Sequence, residues 1–144
     1  GYRAELDSPN WFLNYRVFPD VLDSLRRLEE AGVKRAIISN ADSDVTDFVT
    51  HLEVAEGFDL IVTSAVVGWE KPDVRTFQAA FVPLEVAPEN ALHIGDQPRS
   101  DVVGALDAGM RAALIDRYHR HSDATVPTFA NLLDFAEYVV TGKQ

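Results

Sequence analysis

The sequence predicts an α/β fold in which a parallel sheet carries helices on both faces. Short apolar runs alternate along the chain with segments whose apolar residues recur at helical spacing. Glycine or proline lies between most of these segments, as expected for turns and helix ends. Strict alternation favours parallel pairing, because each helix crosses the sheet and leads into the next strand.

In the first half of the core, the sequence predicts two helix–strand pairs. A helix begins at Pro19 and ends at Gly32, residue types favoured at these two positions. Strands follow over residues 33–39 and 59–63, and the segment 64–70 is predicted to be a loop. The helix between the two strands has an inner face formed by Val45, Phe48, Val49 and Leu52.

The second half predicts two more strands, each flanked by helices. Pro72 lies in the first turn of a helix that ends at Pro83. Strands are predicted over 91–95 and 111–115, with a helix over 100–108 between them. A polar loop over 118–127 precedes a final helix. The inner face of that helix is formed by Phe129, Leu132, Leu133, Ala136 and Val140.

Length and composition predict one domain and exclude several partners. The 144 residues divide into a lead-in over 1–18 and an α/β core domain over 19–144. A net charge of −10 disfavours nucleic acid and anionic membranes. The absence of cysteine excludes disulfides and thiolate sites. No signal peptide or membrane span is visible, and we expect a cytoplasmic protein.

Polar residues follow three of the predicted strands, at the sheet edge where ligands bind in such folds. Ser39 and Asn40 end the first strand, Lys71 follows the second, and Asp96 ends the third. A hydroxyl and an ammonium can bind a phosphoryl group, and a carboxylate can hold Mg²⁺ beside it. The pattern therefore predicts a site for a small phosphorylated molecule.

Each of these residues also has a structural interpretation. Ser39 can cap a helix, and Lys71 can be a solvated loop residue. Asp96 and Asp101 can be turn and helix-cap residues, and Gly95 frees the backbone to turn. The order of the polar residues along the chain favours the site.

Three segments resemble motifs of the haloacid dehalogenase (HAD) superfamily, in particular its phosphatase-like hydrolases. They are Ile37–Asn40, Gly68–Asp73 and His93–Asp101, and the resemblance extends over about residues 15–140. It implies a Rossmann-like core and Mg²⁺-dependent hydrolysis of phosphate esters.

The resemblance also implies a role for each site residue. Ser39 would bind the transferred phosphoryl group, and Asn40 would shape the site. Lys71 would be the catalytic residue that stabilises the nucleophile and the phosphoryl charge. Asp96 would be a Mg²⁺ ligand, with Asp101 as a second ligand or as a carboxylate that supports the first.

The chain departs from the family at its first motif, a strand that ends in Asp-x-Asp. Asp42-Ser43-Asp44 has the spacing but follows the Ser39–Asn40 pair and begins a helix, and Asp59 precedes its strand. The helical cap is also mostly absent, with residues 1–18 as the candidate for its remnant. The pattern therefore predicts a truncated, incomplete core.

The missing motif predicts a gap in the sheet. The resemblance places the first-motif strand between the Ser39 strand and the Gly95 strand. Unpaired buried strand edges are unfavourable. We therefore expect an N-terminal segment or a second chain to fill the gap, or the sheet to close over it.

Three functions remain open at the level of sequence. The first is a hydrolase whose nucleophile lies outside this chain, so that the chain alone is inactive. The second is a catalytically inactive HAD-like module used for binding or assembly. The third, a phosphoacceptor signalling domain, needs an acceptor aspartate on a strand end ahead of the hydroxyl. Ser39 comes first here, which disfavours it.

Overall fold

A computed structural model describes residues 19–40 and 55–142, and it confirms the α/β class. The lead-in over 1–18 and the predicted helix with Val45, Phe48, Val49 and Leu52 lie outside these residues. The helices are α1 (Asp20–Glu30), α2 (Ser64–Val67), α3 (Val74–Leu84), α4 (Gly104–Asp107) and α5 (Leu132–Thr141). The strands are β1 (Ala36–Ser39), β2 (Leu60–Thr63), β3 (Leu92–Gly95), β4 (Arg111–Ile115) and β5 (Thr128–Phe129).

The strands of residues 19–40 and 55–142 form two parallel sheets. In the first sheet β1 pairs with β2, and Ser39 lies opposite Thr63. In the second, β4 lies between β3 and β5. No strand pair joins β1 to β3 among the residues that the structure describes. In this part of the chain the sheet therefore does not close over the predicted gap.

Helices cover both faces, as the alternation of elements predicts. Phe77 of α3 packs on one face with Ala112 and Leu114 of β4. Phe135 of α5 packs on the other face with Ala113. Successive residues of a strand point to opposite faces, so β4 joins both halves of the core.

Asp20 fastens α1 to the C-terminal part of the chain. Its carboxylate accepts hydrogen bonds from Arg117 at 3.1 and 3.2 Å and from the Leu132 N–H at 2.6 Å. Burial raises the pKa of Asp20, but the Arg117 and Leu132 hydrogen bonds outweigh burial and hold it below its usual value. The carboxylate also lies at the N-termini of α1 and α5, where negative charge is stabilised by the helix dipoles.

A cavity of about 1170 Å³ lies between the two sheets. Its walls include Ala36–Ile38 of β1 and Leu92–Gly95 of β3. Leu28 of α1 and Phe135 of α5 also line it, as does Phe81 of α3. All residues of β1 and β3 remain partly exposed, whereas the centre of β4 is buried. The cavity is therefore bounded by strand edges and by helices.

The prediction of a loop over 64–70 is wrong for its first half, because residues Ser64–Val67 form α2. The Thr63 hydroxyl accepts a hydrogen bond from the Val66 N–H at 3.3 Å and caps the helix. Gly68 ends it with a φ of 86°. One helical turn with a cap at each end has too few residues to show a hydrophobic period.

Two other predicted helix boundaries are wrong. Pro83 lies inside the last turn of α3 rather than at its end, because a proline there removes only one late hydrogen bond. Phe129 belongs to β5, where it pairs with Ile115, and not to the final helix. Asn131 starts α5 instead, accepting a hydrogen bond from the Asp134 N–H at 2.8 Å.

The segment after β3 is helical from an earlier residue than predicted. A π-helix over Pro98–Val103 leads directly into α4, and Gly109 follows with a φ of 82°. Asp101 lies within the π-helix. No helix among residues 19–40 and 55–142 is both long and apolar enough to cross a membrane.

Replacing Phe77 tests the core between α3 and β4. The side chain is fully buried, and Phe77→Ala should lower the free energy of unfolding by about 3–5 kcal/mol through the cavity that it leaves. Val82→Ala on the same helix is the matched control, because Val82 is 83% exposed and its loss should cost less than about 0.5 kcal/mol. Urea denaturation measures both. Equal effects would contradict the assigned core.

Candidate active site

Lys71 lies between the C-terminal ends of the two sheets. The Asn40 amide, directly after β1, donates to the Lys71 carbonyl at 3.0 Å and accepts from the Lys71 N–H at 2.7 Å. The Lys71 ammonium donates to Asp101 Oδ1 at 2.5 Å. Lys71 therefore connects the end of β1 to the helical segment that follows β3.

Asp101 is the buried centre of this arrangement, with a side chain that is only 4% exposed. Oδ1 accepts from Lys71 and lies 3.0 Å from His93 Nε2. Oδ2 accepts from the Gln97 N–H at 3.0 Å. Three groups thus occupy a carboxylate that can accept roughly four hydrogen bonds.

The charge state of Asp101 follows from these contacts. Burial raises its pKa, but the hydrogen bonds from His93, Lys71 and the Gln97 amide, together with the Lys71 charge, outweigh burial. The net pKa lies well below the usual value, so the carboxylate is ionised at neutral pH. An ionised carboxylate only accepts hydrogen bonds, and His93 Nε2 therefore carries a proton.

Two glycines allow the helical segment after β3 to pack closely against β3 and against the start of α3. A Cβ on Gly95 would lie 2.1 Å from Asp101 Cγ. A Cβ on Gly104 would lie 2.8 Å from Phe77 Cε2 and 2.9 Å from Pro72 Cα. Gly95 is the last residue of β3, as the predicted strand over 91–95 has it. Its missing side chain makes room for the Asp101 carboxylate.

Asp96 follows β3 directly and is exposed. It lines the same cavity as Lys71 and Asp101. Ser39 is the last residue of β1, partly buried and opposite Thr63. The structure thus brings Asn40, Lys71 and Asp101 into direct contact, with Ser39 and Asp96 at the ends of the flanking strands. The roles predicted for these five residues stay predictions.

The donor set for a metal ion is small in the part of the chain that the structure describes. No group of three or more histidine or acidic side chains there could hold a metal by itself. Mg²⁺ is commonly held by one or two carboxylates, with water and phosphate oxygens completing its shell. The exposed carboxylate of Asp96 fits that kind of site better than Asp101, which already accepts from Lys71, His93 and Gln97.

His93 belongs to the site, and sequence reasoning missed it. Its ring packs edge-on to Phe77 with centroids 5.1 Å apart, while Nε2 points to Asp101. A signal was present, because His93 and Gly95 are two apart in a strand and so share one face. Asp101 lies over that face and contacts both positions.

The sequence profile of the haloacid dehalogenase-like hydrolases matches residues 4–115. The chain belongs to this family. Phosphoserine phosphatase of Thermus thermophilus is 36% identical over 110 residues, which cover 76% of this chain and 44% of that protein. Glyceraldehyde 3-phosphate phosphatase of Methanothermobacter thermautotrophicus is 33% identical over 106 residues, covering 73% and 47%.

A solved structure shows the same HAD fold. The HAD phosphatase from Thermococcus onnurineus superimposes with a TM-score of 0.82 at 26% identity. The match covers 88% of this chain and 59% of that one. The chain spans about half the length of the HAD proteins that it matches. The family membership confirms the resemblance indicated by the three motifs.

A double-mutant cycle tests the contact between Gly95 and Asp101. Gly95→Ala should lower the free energy of unfolding by about 3 kcal/mol, because the added methyl group expels a paired buried carboxylate. Asp101→Gly removes every Asp101 side-chain atom that the added methyl group would meet, so the double variant should be more stable than the sum of the single effects predicts. Urea denaturation measures the cycle, and additive effects would contradict the contact.

The lowered pKa of Asp101 predicts a pH-dependent contribution to stability. The Asp101 carboxyl titrates near pH 3.8 in the unfolded chain and at lower pH in the folded chain. Its contribution is therefore complete above about pH 4 and is lost as the pH falls further. The free energy of unfolding of the wild type should be about 3 kcal/mol higher than that of Asp101→Asn at pH 7. This difference should become smaller as the pH falls towards 2.

Urea denaturation across this pH range measures the difference. Asp107→Asn, at an exposed position of α4, controls for the loss of one negative charge. A wild-type advantage that stays constant down to pH 2 would contradict the assigned ionisation of Asp101.

Proposed function

We propose that this chain carries the phosphate-binding part of a Mg²⁺-dependent HAD hydrolase that acts on small phosphorylated molecules. The main support is the Lys71 ammonium, held at the cavity wall that Asp96 also lines. Two relatives that are phosphatases by name, phosphoserine phosphatase and glyceraldehyde 3-phosphate phosphatase, support this substrate class.

Lys71 would supply the positive charge for the phosphoryl group. An ammonium has three N–H donors, and Asp101 engages one of them. The other two can donate to phosphoryl oxygens. Because Asn40 and Asp101 fix both ends of the residue, the charge is oriented before the substrate binds. Such pre-organised charge stabilises a transition state without further rearrangement.

Ser39 and Asp96 would complete the phosphate site. The Ser39 hydroxyl, at the end of β1, would donate a hydrogen bond to a phosphoryl oxygen. Asp96 would hold Mg²⁺, which when bound offsets the negative charge of the phosphate. For Asp101 we favour the supporting role over that of a second metal ligand. Its three present contacts serve to position Lys71 and the backbone after β3.

The nucleophile would come from outside these residues. No Asp-x-Asp precedes Ser39 in the sequence. Acyl-phosphate chemistry needs one carboxylate to attack and a second to transfer protons. A chain with the phosphate site alone would bind but not turn over. An inactive module used for binding or assembly would share this property, so the two functions need an experiment that separates them.

Phosphate binding tests the site in the chain as it stands. Inorganic phosphate should bind in the presence of Mg²⁺, as followed by ³¹P NMR titration. Lys71→Met should weaken binding by about 10- to 100-fold, because a charged hydrogen bond is lost. Asp96→Asn should remove the dependence on Mg²⁺.

Asp107→Asn, at an exposed position of α4, is the control for Asp96→Asn, because both substitutions remove one negative charge. Lys71→Arg, which keeps the charge, controls for the stability lost in Lys71→Met. The proposed site would be contradicted if the affinity for phosphate did not depend on Mg²⁺ and was the same in the wild type, Lys71→Met and Asp96→Asn.

Activity separates the hydrolase from the inactive module. The chain alone should give no enzyme-like turnover of p-nitrophenyl phosphate, since the attacking carboxylate is missing. Fusing a segment that ends in Asp-x-Asp should restore Mg²⁺-dependent turnover, and Asp96→Asn should abolish it. A fused form that binds phosphate but stays inactive would favour the module. Turnover by the chain alone that is lost in Asp96→Asn would reveal a nucleophile within it.

A further inference from the structure

We propose that Arg120, stacked on the ring of Tyr118, binds a carboxylate at the end of the substrate that is remote from the phosphoryl group. This second recognition point depends on the proposed phosphate site and lies beside it. The substrates would then be small phosphorylated carboxylic acids, and the loop after β4 would carry the residue that selects them.

The loop after β4 begins at the same sheet edge as the proposed phosphate site. β3 and β4 are parallel neighbours with Gly95 opposite Leu114, so their C-terminal ends lie about 5 Å apart. Asp96 follows the first of these strands directly. Arg120, in the loop after the second, lines the cavity that Lys71 and Asp96 also line. One continuous cavity therefore connects the phosphate site to the Arg120 guanidinium.

The course of this loop is fixed at its base by Asp116. The buried Asp116 carboxylate accepts a hydrogen bond from the Arg120 N–H at 2.8 Å and another from the His121 N–H at 2.9 Å. Arg117, the first residue after Asp116, is held separately by Asp20. A backbone that is ordered in advance reduces the cost of ordering on binding. The position of Arg120 is therefore set before a ligand arrives.

Arg75 shows what a ring-stacked guanidinium binds in this chain. It lies 4.8 Å from the centroid of the Trp69 ring. Its Nε donates to Asp73 Oδ1 at 3.0 Å, and its Nη2 donates to Asp73 Oδ2 at 2.7 Å. The aromatic ring thus supports the face of the guanidinium, while its N–H edge binds both oxygens of one carboxylate.

Arg120 repeats the first half of this arrangement. Its guanidinium lies 5.1 Å from the centroid of the Tyr118 ring. No carboxylate in the described part of the chain pairs with that guanidinium. Its parallel N–H donors match the two oxygens of a carboxylate, as those of Arg75 match Asp73. A carboxylate supplied by a ligand would complete the same arrangement at the cavity wall.

The acidic groups near Arg120 do not cancel its charge. Both oxygens of Asp116 already accept backbone hydrogen bonds. Asp123 is exposed and does not line the cavity. Asp96 does line it, and in the proposed phosphate site its charge is offset by Mg²⁺. In a chain with a net charge of −10, Arg120 is therefore a local cation to which an anionic group is attracted.

Isothermal titration calorimetry of the full chain with Mg²⁺ tests the carboxylate site with matched ligands. 3-Phosphoglycerate and glycerol 3-phosphate share a phosphate and a short carbon chain, but only the first has a carboxylate at its far end. 6-Phosphogluconate and sorbitol 6-phosphate make the same comparison over a longer chain. In at least one pair the carboxylate should tighten binding by about tenfold, since it adds a charged hydrogen bond.

Substitutions assign this preference to Arg120. Arg120→Gln should reduce the ratio of the two affinities to about one. Arg120→Lys keeps the charge but loses the planar pair of donors, so its ratio should be intermediate. Arg75→Gln is the matched control, because it removes the same charge from a ring-stacked arginine that does not line the cavity. The ratio in Arg75→Gln should equal that of the wild type.

Tyr118 acts as a positioning residue, and a pair of substitutions tests that role. Tyr118→Phe keeps the ring under the guanidinium and should keep the ratio. Tyr118→Leu removes the ring and should lower the ratio towards that of Arg120→Gln. The Tyr118 side chain is 65% exposed, so neither substitution should alter the fold. Equal ratios in both variants would contradict the positioning role.

The possible failures separate the carboxylate site from the proposed function. Binding of all four ligands with no preference in either pair would overturn the carboxylate site and leave the phosphate site intact. A preference that persists in Arg120→Gln, or that is lost equally in Arg75→Gln, would also overturn the carboxylate site. If none of the four ligands binds, the proposed function fails and the carboxylate site fails with it.

Discussion

The ionised carboxylate of Asp101 is the group on which the described structure depends. It joins Lys71, and through it the end of β1, to β3 and to the backbone after β3. A buried ion pair that loses one partner is strongly destabilised, because the remaining charge stays buried. The contact between the two sheets at this rim and the orientation of the Lys71 ammonium therefore have the same origin.

The glycines of this region make the contact sterically feasible. Gly95 leaves space for the carboxylate, and Gly104 lets the helical segment pack on Pro72 and Phe77. The polar contacts of the site thus rely on close approaches in the apolar core. The segments around Lys71 and Asp101 combine polar contacts with core packing, so a substitution there affects both.

Sequence patterns predicted the main strands of the fold well, because apolar runs between glycines and prolines leave few alternatives. They also located Lys71 and Asp101 near one sheet edge. Contacts between residues far apart in sequence could not be predicted, since no local pattern encodes them. The pairing of Asp20 with Arg117 and of Phe129 with Ile115 are examples. His93 was overlooked because its apolar neighbours suggested a simple buried strand.

The attachment of α1 to α5 has a consequence for synthesis of the chain. Asp20 binds the Leu132 N–H, and Arg27 pairs with Glu137, residues that the ribosome adds more than a hundred positions later. Until α5 has emerged, Leu25 and Leu28 lack part of the surface that buries them. Contacts of such long sequence separation form late and slowly. Until α5 has been synthesised, the apolar face of this amphipathic helix is therefore accessible to chaperones.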